Sequence, residues 1–339
     1  MKIWKILSPK VLTAEERPDN ITTETQAKVK VTKLLFSDNE ARAYIGVPRP
    51  KYPIVPGRFA VGAVAEAGKG CLRTEKNTRV YIHDVIPCGE CARCRAGDPE
   101  SCASMRAAGT ACEGYLRDFV VTDETNLSPL PLSVSDNEAL FIGIVSLCEA
   151  VIDRLNVNKG DHIAVFGGRE IGNILCQLLI YHQAVPIFID ADDDSLAIAS
   201  QCGIYYTVRA DETMEENICR ITGGRLAKDS VYCSGSDLSP SLPFTYTATD
   251  GTVIYTGFDF PDVSVAVKPA LEKRLTVTAV TNDYSNNATA INRIVNKAVN
   301  LAPFCKDVRP VADIAKLFDQ AAAKKDAGKH VPYTIVNMI

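Results

Sequence analysis

The chain is 339 residues long and 46% hydrophobic, enough to build two buried cores, and that length suggests two domains. Its 37 basic and 41 acidic residues leave a net charge near −4, which gives no electrostatic reason to expect nucleic acid or an anionic membrane surface as a partner. No apolar stretch is long enough to span a bilayer and Met1-Lys2-Ile3-Trp4 opens no apolar signal segment, so a cytoplasmic protein is expected.

Up to about residue 135 the chain is β-rich. Runs such as Val29-Lys30-Val31-Thr32-Lys33-Leu34-Leu35 and Phe59-Ala60-Val61-Gly62-Ala63-Val64 are broken by Pro and Gly, as an irregular β domain requires. Within this region Cys88, Cys91, Cys94 and Cys102 stand as C-x2-C-x2-C-x7-C, a spacing that wraps four thiolates around one tetrahedral zinc. Such a site has no open coordination position, so it holds a loop in shape and performs no chemistry. Disulfides would need an oxidising compartment, and the bacterial iron–sulfur spacing would follow its fourth cysteine with proline, where this chain has Ala103. The eight other cysteines are scattered, and Cys176 in an apolar run reads as a small buried hydrophobe.

Beyond residue 135, strands and helices alternate. A helix is predicted over 137–155, a strand over 162–166, a helix over 171–181, a strand over 185–189 and a helix over 193–201. Strands follow at 230–233, 253–255 and 275–280, then a helix over 310–325 and a strand over 330–336. This is the pattern of right-handed βαβ units on a parallel sheet. Its first turn reads Phe166-Gly167-Gly168-Arg169-Glu170-Ile171-Gly172. A dinucleotide fingerprint wants Gly for the tight turn, Gly where the backbone meets the pyrophosphate and Gly where helix packs on strand; Gly167 and Gly172 fill the first and third places, and Arg169 stands in the second. The next strand ends in Asp190, a carboxylate able to accept both ribose hydroxyls of NAD(H) and to repel the extra phosphate of NADP. The competing reading is a glycine turn beside a surface acid. Gly167, Gly168, Arg169, Ile171, Gly172 and Asp190 are the candidate cofactor residues.

Together these features resemble the medium-chain dehydrogenase/reductase superfamily, in its zinc-containing alcohol and polyol dehydrogenase branch. The match runs nearly end to end, through Arg79 to Cys102, Gly114-Tyr115-Leu116-Arg117-Asp118-Phe119-Val120-Val121, Val157-Asn158-Lys159-Gly160-Asp161 and Gly328-Lys329-His330-Val331. The resemblance implies an α/β protein: a GroES-like β-rich domain over 1–136, carrying the zinc lobe at 87–103 and completed by 301–339, and a Rossmann domain over 137–300. It also implies a homodimer or homotetramer joined at the sheet edge near 275–284.

The same resemblance locates a departure. Family members hold a catalytic zinc with an early Cys, the His of Gly-His-Glu, and a Cys or Glu near the helix that links the domains. Here the aligned positions carry Ser37, Arg58 (with Phe59 after it), Ser146 and Gly143. Hydroxyls and a permanently charged guanidinium cannot form the shell zinc prefers. One structural zinc and no catalytic zinc are therefore expected. Arg58 could replace the metal as electrophile, favouring an anionic small-molecule substrate, or could be a salt-bridged filler. Ser37, Asp38 and Glu40 could relay a proton, although acids in such a loop more often are solvated or cap a helix, and His83 is the one histidine that could face a cleft, with simple core packing the more frequent outcome. Three functions compete: an NAD(H)-dependent oxidoreductase without catalytic zinc, a degenerate member that senses a ligand, and a zinc enzyme using Cys148, Glu149 or Asp38 as ligands. Arg169 and Glu170, bulky and charged in the phosphate loop, favour the second.

Overall fold

A computed structural model describes every residue except 19–21, 48–49, 100, 259–261 and 282–284. The described chain forms two compact units, Met1–Gly143 with Asp283–Val295 and Phe304–Ile339, and Ile144–Asn282 with Asn296–Pro303. Along the chain the division falls inside a helix, at Gly143 and Ile144, against the boundary at 136 that the resemblance implies.

The first unit opens with an antiparallel ribbon of β1 (Lys2–Ser8) and β2 (Val11–Glu16). The eleven-residue β3 (Gln26–Phe36) follows, then the helix α1 (Asp38–Ile45), β4 (Phe59–Ala67) and β5 (Arg79–Ile82). Two-residue strands β6 (Val85–Ile86) and β7 (Arg106–Ala107) pair across the cysteine loop, which holds the one-turn helix α2 (Ala92–Arg95). Then come β8 (Phe119–Asp123), β9 (Leu127–Pro129) and α3 (Asp136–Ala139). Ser135 starts α3 with a reciprocal capping box to Glu138. The helix predicted over 137–155 is two helices: α3 stops at Ala139, and α4 (Ile142–Leu155) begins after Leu140 and Phe141, both fully buried. Phe141 packs at 6.2 Å from Phe304 and 5.8 Å from Tyr333, so the break turns an aromatic ring into the first unit's interior.

The second unit is a six-stranded, wholly parallel sheet covered by helices. Its elements run β10 (His162–Phe166), α5 (Arg169–Tyr181), β11 (Val185–Asp190), α6 (Asp193–Gln201), β12 (Tyr206–Arg209), α7 (Met214–Thr222), β13 (Asp229–Cys233), α8 (Leu242–Tyr246), β14 (Thr252–Thr256), α9 (Lys268–Glu272) and β15 (Thr276–Val280). The spatial order is β12-β11-β10-β13-β14-β15, so the winding reverses between β10 and β13. That is the doubly wound topology, which opens a crevice outside the carboxyl ends of the strands at the reversal. All five residues of β13 are buried, as a strand covered on both faces demands.

The chain then gives α10 (Asn287–Val295), β16 (Val308–Pro310), α11 (Ile314–Asp326) and β17 (Thr334–Asn337). β17 pairs antiparallel with β3 and completes a seven-stranded sheet ordered β16-β17-β3-β4-β5-β9, with β8 also on β3. The fold is therefore α/β, with a GroES-like β domain and a Rossmann domain, as the sequence led us to expect. Two boundaries move. Pro310 belongs to an edge strand and not to the predicted helix, which starts at Ile314; an edge is where a residue without an N–H can sit in a sheet. The final strand starts at Thr334, not at 330. Phe36, Tyr44 and Phe318 cluster at about 5 Å between ring centroids and tie α11 to the core.

Candidate functional site

The four cysteines expected to hold zinc do come together. Their sulfurs all lie within 4.8 Å of one another, and among the described residues they form the one cluster able to hold a metal. Sγ–Sγ separations are 3.5 Å for Cys91–Cys94 and Cys88–Cys102, 3.9 Å for Cys91–Cys102 and 4.0 Å for Cys88–Cys94. A tetrahedron with zinc–sulfur bonds of about 2.3 Å has edges of about 3.8 Å, so the cage is already the right size. Backbone N–H groups of Cys91, Cys88 and Ser104 donate to the sulfurs of Cys88 and Cys102, as they would to thiolates. Backbone donors pull the Cys91 thiol down to about 6. The residues fit a structural zinc.

The positions aligned with catalytic zinc ligands are filled by something else. Ser37 is the N-cap of α1: its Oγ accepts from the N–H of Asn39, and its N–H and hydroxyl both donate to Glu40, at 2.8 and 2.7 Å. The other carboxylate oxygen of Glu40 accepts the backbone N–H of Arg58 at 3.1 Å. Glu40 is only 3% exposed; burial pushes its carboxyl up, against the opposing pull of the Ser37 donors. The Arg58 guanidinium points to Asp84, with Nε donating to Oδ2 at 3.1 Å in a pair shielded from solvent. Tyr81 donates its hydroxyl to the remaining oxygen of Asp84 at 2.9 Å. At Gly143, where polyol dehydrogenases carry a glutamate, an added Cβ would stand 2.6 Å from the Tyr81 hydroxyl and 2.7 Å from Asp84 Oδ1. No ligand side chain has room there. Ser37, Arg58 and Gly143 thus surround one buried network, and these residues do not fit a catalytic zinc.

Several expectations change accordingly. Arg58 carries its own carboxylate partner, so the argument that a buried cation must seek an anionic substrate no longer applies. Ser37 and Glu40 serve as a capping box in the interior, not as a relay in an open loop. Asp38 pairs with Lys325 at 2.8 Å, Cys148 donates to the Ile171 carbonyl, and Glu149 meets His182 at 3.2 Å, so each alternative zinc ligand is engaged with a partner of its own. His83, as the core-packing reading has it, is 5% exposed with Nε2 at 2.9 Å from the Ser128 hydroxyl, and burial brings its pKa down to about 4. The Oγ of Ser146 is buried without a hydrogen-bond partner among the described residues. Sequence reasoning missed Tyr81 and Asp84, because neither occupies a motif position: Tyr81 lies in β5, Asp84 just after it, and only the fold brings them to Arg58.

In the second unit the glycine loop follows β10 as predicted. Gly167, Gly168 and Arg169 take successive left-handed φ values of 63°, 76° and 42°. At Gly172 a Cβ would lie 2.2 Å from the Gly167 carbonyl oxygen, so this glycine lets the helix close on the turn. Ile171 is buried at 7% exposure and donates its N–H to the Gly168 carbonyl, so it supports the loop and offers a ligand no donor. Asp190 ends β11 at 6% exposure; its oxygens accept the Asp192 N–H at 3.1 Å and the Ser195 hydroxyl at 2.9 Å. A carboxylate has about four lone-pair sites, so capacity for further donors remains. Arg169 forms ion pairs with Asp192 and, at 3.3 Å, with Asp237.

Comparison with known proteins agrees with this architecture. Residues 22–132 match the alcohol dehydrogenase GroES-like domain family. Over 94% of this chain and 96% of the relative, the sequence is 25% identical to the starvation-sensing protein RspB of Escherichia coli K12. It is 24% identical to the sorbitol dehydrogenase of Halalkalibacterium halodurans over 78% of each. The crystal structure of the rspB alcohol dehydrogenase of E. coli CFT073, complexed with NADH, superimposes with a TM-score of 0.86 at 20% identity, covering 100% of this chain and 99% of that one. Residues 22–132 thus match an alcohol dehydrogenase GroES-like domain, and over most of its length the chain is similar to zinc-type alcohol dehydrogenase-like proteins.

Proposed function

We propose that this chain is an NAD(H)-dependent oxidoreductase acting on a small hydroxyl or carbonyl compound, with one structural zinc and no catalytic zinc. The observation that carries the metal reading is the buried network at Ser37, Arg58 and Gly143, where Glu40, Asp84 and Tyr81 fill the space a metal and its ligands would need. NAD(H), when bound, supplies or accepts the hydride. The loop Gly167, Gly168, Arg169 and Gly172 would meet its pyrophosphate and Asp190 its adenosine ribose, and a further carboxylate-facing phosphate would be repelled. Without a Lewis acid, the easiest hydride acceptor is a carbonyl already polarised by conjugation, as for the zinc-free quinone reductases of this superfamily. None of the twelve cysteines is paired in a disulfide, which suits a reducing, cytoplasmic compartment. Among the described residues no helix is long and apolar enough to cross a membrane.

Elemental analysis of dialysed protein should give about one zinc per chain, and calorimetry should show NADH binding more tightly than NADPH; a zinc content near two, or the reverse nucleotide preference, contradicts the reading. The second reading, a ligand-sensing member without turnover, draws support from the charged phosphate loop and from the name of the RspB relative. Binding of NADH with no turnover of any screened carbonyl would favour it.

A further inference from the structure

We propose that Arg169 sets the nucleotide affinity of this chain by strapping the crevice: its guanidinium is tied to Asp192 and Asp237, and a dinucleotide enters only by displacing that tie. The inference rests on the dinucleotide reading given above and deepens it. Arg169 follows β10, Asp192 follows β11 and Asp237 follows β13, and β11 and β13 are the two sheet neighbours of β10. The side chain therefore reaches from the loop over the central strand to the loops on both sides, across the carboxyl-end opening where a doubly wound sheet receives its ligand.

Backbone packing at the same place supports the closure. A Cβ on Gly167 would stand 2.1 Å from the Ser236 hydroxyl oxygen, and one on Gly168 would stand 2.2 Å from Cys233 Cβ. The segment after β13 thus lies directly on the glycine turn. It is anchored there, with the Tyr232 hydroxyl donating to the Leu238 carbonyl at 2.7 Å and the Leu238 N–H donating to Ser236 Oγ at 3.2 Å. Arg169 itself adopts a left-handed φ of 42°, a conformation a bulky residue takes only when its surroundings hold it. Those surroundings are the two carboxylates. A pyrophosphate approaching the loop competes with them for the guanidinium and for the space above the glycines.

A double-mutant cycle separates a strap from simple acid repulsion. ADP-ribose and NADH would be titrated calorimetrically against the parent, Asp237→Asn, Arg169→Gly and the double variant. Asp237 is largely exposed, so its substitution leaves the fold intact. Loss of one solvent-accessible ion pair should tighten binding about threefold when Arg169 is present and leave it unchanged in the Arg169→Gly background. If Asp237→Asn tightens binding equally in both backgrounds, or does nothing in the parent, the strap is refuted while the dinucleotide reading stands. If none of the four proteins binds either ligand, both fall together.

Discussion

Arg58 places a guanidinium cation at 5% exposure in the first unit, where an uncompensated charge is costly, and Asp84 supplies the counter-charge. The pair is stitched on both sides: Tyr81 donates to Asp84, and the backbone of Arg58 donates to Glu40, whose other oxygen holds the Ser37 cap. A set of residues at metal-ligand positions has become a closed hydrogen-bond network. Removing one member of a buried ion pair leaves the other uncompensated, so Arg58→Met should lower unfolding free energy by about 3 kcal/mol. Adding Asp84→Asn, which removes the stranded charge while keeping the shape, should recover a good part of that loss. Urea unfolding curves decide it: a single variant as stable as the parent would show that the pair does not hold the interior together.

At the scale of elements, what the sequence disclosed follows the reach of each signal. The cysteine cage was legible because four thiolates within fifteen residues constrain one another locally, and the sulfurs meet as their spacing required. β10 and α6 were read with their observed limits because a buried parallel strand is a short apolar run and α6 begins at an aspartate cap, Asp192, that accepts from Asp194 and Ser195. Three-dimensional facts were not legible. The break between α3 and α4 comes within a continuous helical pattern, since Leu140 and Phe141 are as helix-compatible as their neighbours and leave the helix to fill the core. Likewise the loss of ligand types at residues 37 and 58 could be read by alignment, while the groups that replace them, Tyr81 and Asp84, come from a separate strand end.

For the whole molecule, the open question is how the second unit's sheet ends. β15 is its edge strand, with Thr276, Val277 and Ala279 exposed, and Leu271 on the preceding helix is 75% exposed. An uncovered edge presents a row of backbone donors and acceptors to any matching strand, and natural proteins blunt such edges with charge unless they use them. The five residues of β15, Thr276-Val277-Thr278-Ala279-Val280, carry no charge at all. We therefore propose that two copies join through this edge, the expected contact region reaching on to 284, where residues 282–284 lie outside those described. A two-fold pairing brings the same residues of both copies together, so one substitution places like charges on both sides of the junction. Val277→Asp should accordingly lower the mass measured by light scattering to that of one 36.8 kDa chain, with the thermal transition of each unit retained. A parent protein that already measures as one chain, or a variant that keeps the parent's larger mass, would remove the edge from consideration as the subunit contact.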